Sequence, residues 1–98
     1  MSGASTIVAR VPTDKAARYM TQLAKHWSHR FEVTFDATSA DIPLPSAPLH
    51  MQAEADALVI TLTPGPETDV ARMKEVVESH LNRFAFREGE LVYDWKTE

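Results

Sequence analysis

Between residues 31 and 63 the apolar side chains recur at every second position, in short runs cut by prolines and polar turns. Phe31, Val33 and Phe35 alternate with Glu32 and Thr34. Leu49, Met51 and Ala53 alternate with His50 and Gln52, and after a tight turn at Ala55-Asp56 comes the run Leu58 to Thr63. A period of two places alternate side chains on opposite faces of a sheet. Ile42 to Leu44 adds a short strand bounded by prolines, and Pro45-Ser46-Ala47-Pro48 reads as a turn. Connections this short cannot hold parallel crossovers, so the region is an antiparallel meander with one buried face. Phe31, Val33, Phe35, Leu49, Met51, Ala53, Leu58, Ile60 and Leu62 are expected to face inward. Glu32, Thr34, His50, Gln52, Glu54, Thr61 and Thr63 are expected to face out.

The period changes to 3.6 on either side of the meander. From Asp14 to about His29 the apolar positions are Ala16, Tyr19, Met20, Leu23 and Trp27, with Lys15, Arg18, Gln22 and Lys25 opposite. That is a helical stripe, with Thr13 suited to its N-cap and Asp14 to its first turn. Val70, Met73, Val77, His80, Leu81 and Phe84 form a second stripe after Pro64-Gly65-Pro66. Pro66 suits its first helical position, with Glu67 and Asp69 in its first turn. A β-branched strand closed by Pro12, from Thr6 to Val11, precedes the first helix. Gly89 turns the chain into a last strand, Leu91 to Trp95.

The expected fold class is α+β: a mostly antiparallel sheet with two helices packed on one face, in the order β-α-β-β-β-β-α-β. The layer is similar to that of TATA-box-binding-protein-like folds, an analogy of fold and not of function. All 98 residues make one domain, with residues 1–5 as a flexible tail. The formal charge of −4 and an outer sheet face without aromatic rings argue against nucleic acid. With no cysteine, disulfides and thiolate chemistry are excluded. No secretory leader and no apolar run near the roughly 20 residues of a membrane span are present, so no membrane partner is expected and a cytoplasmic location is.

Chemistry concentrates where the helices end. The phrases are Lys25-His26-Trp27-Ser28-His29-Arg30-Phe31 and Ser79-His80-Leu81-Asn82-Arg83-Phe84, which hold three of the four histidines. His26 and His29 lie on one side of the first helix, and His80 falls within the second stripe. With both helices on one sheet face, His26, His29 and His80 can converge. Imidazoles suit iron, zinc, copper or nickel, and three would leave an open coordination position. A haem with one axial histidine is a variant. The competing reading is structural: His80 as a core imidazole bonded to a protein acceptor, and His29 as a solvated cation at a helix end. Arg83, Arg87, Glu88 and Tyr19 are the candidate ligand-binding side chains. The arginines suit a carboxylate, or a structural role in capping, and Glu88 suits the orientation of a histidine. Trp27, Tyr93 and Trp95 read as core or edge aromatics and His50 as surface. No phosphate loop or nucleophile elbow is present.

Ala17-Arg18-Tyr19, Gln22-Leu23, His26-Trp27-Ser28-His29, the strand end Ala53-Glu54-Ala55, and His80 through Glu88 together resemble a small bacterial family, the domain of unknown function 2218. The resemblance runs from about Thr6 to Trp95, with Pro45 to Pro48 departing from a glycine turn. It implies a small soluble domain without assigned activity. Some relatives look to be joined to, or encoded beside, siderophore-interacting ferric reductases, which implies iron or siderophore handling and a reductase partner. Two function classes follow. The first is a non-enzymatic binding module for iron, another transition metal, haem or a ferric siderophore. The alternative is a protein–protein interaction or homodimerisation module without a small ligand, built on sheet edges or helix surface. An enzyme is the least supported class.

Overall fold

The computed structural model describes residues 6–45, 47–88 and 91–97. The tail expected at residues 1–5, the turn expected at Gly89 and one residue of the 45–48 turn lie outside the described residues. The elements follow the order β1 (Ile7–Pro12), α1 (Ala16–Trp27), β2 (Thr34–Phe35), β3 (Ser39–Ile42), β4 (Leu49–Ala53), β5 (Ala57–Leu62), α2 (Val70–Phe84), a 3₁₀ turn (Phe86–Glu88) and β6 (Trp95–Thr97). The six strands form one antiparallel sheet in the order β2-β3-β4-β5-β1-β6. The fold is α+β.

Register makes the two faces of the sheet chemically different. One row of paired residues crosses all six strands as Phe35, Ala40, Met51, Ile60, Ala9 and Trp95. The next row reads Thr34, Asp41, His50, Thr61, Val8 and Lys96. The first faces the helices and the second faces away, because the side-chain period of a strand is two. Ala40, Ile42, Leu49, Met51, Leu58, Ile60 and Leu62 are buried beneath α1, which packs over β3, β4 and β5. The α1 stripe Ala16, Tyr19, Met20, Leu23, Ala24 and Trp27 is buried in return. Truncating such a site, as in Leu23→Ala, costs about 2–5 kcal/mol.

Several boundaries differ from the sequence reading. The strand expected over Phe31–Phe35 is only Thr34–Phe35, and Phe35 is 41% exposed. It belongs to an edge strand, paired on one side only, beyond the strands that α1 covers best. The strand expected over Ile42–Leu44 ends at Ile42 and begins at Ser39. The Asp36 carboxylate accepts from the Thr38 and Ser39 backbone N–H groups at 2.9 Å each, which shapes the turn and holds its pKa below the usual range. The second helix starts at Val70 and not at Pro66. Asp69 caps it, accepting from the Arg72 N–H at 3.1 Å, while Gly65 and Thr68 close a separate turn. The last strand is Trp95–Thr97, because α2 takes hold of the chain before it. Asn82 Oδ1 accepts from the Leu91 N–H at 3.2 Å and from the Tyr93 hydroxyl at 3.1 Å, and Glu78 accepts from the Trp95 indole N–H at 2.7 Å.

Thr13 is not the N-cap of α1 either. Its hydroxyl accepts from the Lys15 N–H at 3.1 Å, and the helix begins one residue later. Asp14 accordingly precedes the helix. Among the described residues no helix is long and apolar enough to cross a membrane.

Candidate functional site

α1 ends on a residue pair with opposite fates. Trp27 continues the apolar stripe and is buried, while His26 points away from the sheet and is exposed. On α2 the stripe is narrower: only Val77 and Leu81 are buried, and Met73, Val76 and His80 are half-buried beside them. The C-terminal end of α1 therefore meets the flank of α2 along a partly covered seam. The His26 and His80 ring centroids stand 5.3 Å apart, and the Trp27 and His80 centroids 4.9 Å apart. Phe84 sets its edge against His26 at 6.3 Å.

The seam opens into a groove of about 300 Å³. Trp27, Phe31, Leu44, Pro45, Met73 and Val76 supply apolar walls, and His26, His80 and Arg30 supply the polar groups. Ligand sites are commonly of this kind, apolar with a few convergent polar groups. A larger groove of about 460 Å³ lies elsewhere, between Val8, Arg10, Pro12, Val92, Asp94 and Lys96. Its charges are already engaged. Arg10 pairs with Glu54 at 3.3 Å and Asp56 at 3.0 Å, and Lys96 pairs with Asp94 at 3.5 Å.

Two features set the chemistry of the histidine rings. His80 Nδ1 lies 2.7 Å from the Val76 carbonyl oxygen. A carbonyl can only accept, so Nδ1 carries the proton, and in the neutral ring Nε2 is left with a lone pair. His26 has its pKa lowered from 6.5 by partial burial first, then by electrostatic interaction with His80, Arg83, His29 and Arg30. The shift favours the uncharged imidazole, the form that binds metals. The His80–Val76 bond also satisfies the structural reading, since it gives a half-buried imidazole the partner it requires.

The other candidates separate. His29 is exposed on the turn after α1, near enough to act on His26 by its charge. Among the described residues no group of three or more His, Asp or Glu side chains is placed to hold a metal ion. The imidazoles that line the groove are those of His26 and His80. Glu88 does not orient a histidine. Its carboxylate accepts from the Tyr19 hydroxyl and, at 3.1 and 3.3 Å, from the Thr13 hydroxyl. Two candidate ligand-binding residues, Tyr19 and Glu88, therefore engage each other, tying the 3₁₀ turn to the start of α1. Burial, reinforced by the Glu88 carboxylate, pushes the Tyr19 pKa up to about 12, so the phenol stays protonated and donates. Arg83 is exposed in the last turn of α2, and the Arg87 guanidinium stands 5.6 Å from the Phe86 ring centroid.

Sequence reasoning missed Arg30, Phe31, Met73 and Val76 as groove walls; Trp27 is the core aromatic it is expected to be and also lines the groove. Val76 was findable, since it lies one helical turn before His80. His50, read as plain surface, sits on the other face of the sheet, with Nδ1 2.8 Å from Asp41 Oδ1. That pairing is cross-strand, so neither strand announces it alone.

Residues 8–96 match the model of a family described as an uncharacterised protein conserved in bacteria, DUF2218, and the chain belongs to that family. The NMR structure of PA4090 from Pseudomonas aeruginosa is similar, with 32% sequence identity and a TM-score of 0.76, over 94% of this chain and 95% of that one. No curated protein matches the chain.

Proposed function

We propose that this chain is a binding module whose α1–α2 groove holds a transition metal, iron in first place, through His26 and His80. The observation that carries the reading is the His80 Nδ1–H bond to the Val76 carbonyl. Metal-ligating histidines almost always donate their second ring N–H to a carbonyl or carboxylate, which fixes the tautomer and aims the free nitrogen. Here the bond leaves the proton-free Nε2 on a ring that stands 5.3 Å, centroid to centroid, from the His26 ring. Iron is preferred because the chain resembles a family in which some members look to be joined to, or encoded beside, siderophore-interacting ferric reductases. On this reading a reductase of that type is the partner, and a ferric siderophore is one form in which the metal arrives.

The test is a calorimetric and absorbance titration of the purified protein with ferrous iron under anaerobic conditions and with Ni²⁺. His26→Ala and His80→Ala run beside the parent, with circular dichroism to confirm the fold. Micromolar or tighter binding that both substitutions abolish is expected. Absent binding, or binding that survives either substitution, would overturn the reading.

A second reading is favoured by exposed apolar residues on the described surface: Phe86 at 71%, Val92 at 70% and Phe35 at 41%. Phe35 lies on the two-residue edge strand β2, where unpaired backbone groups invite a second copy. Sedimentation would then show a dimer, and Phe35→Glu would dissociate it.

A further inference from the structure

We infer that the α1–α2 groove receives its metal as an anionic chelate and not as the bare cation. The inference rests on the reading of His26 and His80 as metal ligands and adds the chemistry of what they receive. Two protein nitrogens do not complete the coordination sphere of a transition metal, which takes four or more donors. Among the described residues no third histidine or carboxylate is placed to join them. The groove has room for donors brought from outside. Its volume of about 300 Å³ is that of roughly ten waters at ~30 Å³ each in the liquid.

The charge around the pair decides the form of the guest. Arg30 lines the groove, and among its described walls none is acidic. Arg83 and Arg30 stand near enough to His26 to act on it with their fixed positive charge. This is a local surplus in a chain of formal charge −4. Two acids of the α2 region are engaged elsewhere: Glu88 accepts from Tyr19 and Thr13, and Glu78 from the Trp95 indole. A bare divalent cation would enter against these guanidinium groups. A complex of the same metal with a polycarboxylate chelator carries net negative charge and is attracted by them, while two open coordination positions accept the imidazoles.

The experiment titrates the full chain with two probes, aqueous Ni²⁺ and the Ni²⁺–nitrilotriacetate complex, which is anionic and leaves two positions open. Parent, Arg30→Ala, His26→Ala and His80→Ala are compared. Arg30 is exposed, so its removal leaves the core intact. The parent should bind the chelate about tenfold more tightly than the bare ion, the scale of one well-placed charge interaction. Arg30→Ala should weaken the chelate and tighten the bare ion, so the preference shrinks from both sides. Tighter binding of the bare ion by the parent, or an Arg30→Ala preference equal to the parent's, would overturn the inference while leaving the histidine site standing. Binding of neither probe, or binding indifferent to His26→Ala and His80→Ala, would remove the site itself.

Discussion

The two helices carry similar stripes in the sequence and do different work in the fold. α1 spans 12 residues and buries six of them, Ala16, Tyr19, Met20, Leu23, Ala24 and Trp27. α2 spans 15 residues and buries two, Val77 and Leu81. α1 lies across the centre of the sheet, where side chains from β3, β4 and β5 rise to meet it. α2 packs on α1 and on the segment from Leu91 to Trp95, which it holds through Asn82 and Glu78. The lesson is that an amphipathic stripe specifies a helix but not how fully it is covered. Where the more covered helix meets the less covered one, a groove remains, and both histidines of the candidate site stand on its rim.

The contrast is broken most sharply by truncation. Leu23→Ala should cost about 3 kcal/mol in urea unfolding, since Leu23 is fully buried between α1 and the sheet. Met73→Ala, on the half-buried stripe of α2, should cost about 1 kcal/mol, because less area is lost and the groove already borders solvent. Equal losses would refute the asymmetry. The helix starts offer a second contrast. Asp69→Ala removes the side-chain cap of α2 and should cost about 1 kcal/mol. α1 has no side-chain cap bond at Lys15 and relies on the tertiary tie from Tyr19 and Thr13 to Glu88. Tyr19→Phe should therefore cost a similar ~1 kcal/mol and should raise amide hydrogen exchange at Phe86–Glu88, a response Asp69→Ala should not produce.

The smallest effect is the pH response of the seam. His26 has a folded pKa below its ordinary 6.5. As pH falls through 6.5 the unfolded chain takes up the His26 proton before the folded chain does, so this group's contribution makes stability fall. The loss stops growing once pH passes below the folded value. His26→Gln should flatten the stability profile in that window, with a modest change because the ring is exposed. An unchanged profile would show that neither partial burial nor the charges near His26 act on its protonation.

The meander was legible because each of its central strands alternates cleanly, and the alternation survives burial against a helix. Leu49, Met51, Leu58, Ile60 and Leu62 went where their period sent them. The edges were not legible. Phe31, Val33 and Phe35 alternate just as well, yet pairing at one edge extends the strand over two residues only. Pro66 looked like a helix start, but the Asp69 carboxylate had an N–H to accept from and Pro66 did not supply a cap. For the site, the meeting of His26 and His80 follows from two helices sharing a sheet face, which the periodicity implies. Arg30 as a wall, the idle position of His29 and the diversion of Glu88 to Tyr19 depend on how helices cross, and no local pattern encodes that.

The most direct test is long-range ¹H–¹⁵N NMR of the histidine rings, recorded before and after addition of paramagnetic Ni²⁺–nitrilotriacetate. The account predicts that His80 is the Nδ1–H tautomer in the free protein. It also predicts that His26 and His80 signals broaden at substoichiometric Ni²⁺–nitrilotriacetate while those of His50, on the other sheet face, stay sharp. A His80 ring protonated at Nε2, or His50 broadened as readily as the pair, would contradict it.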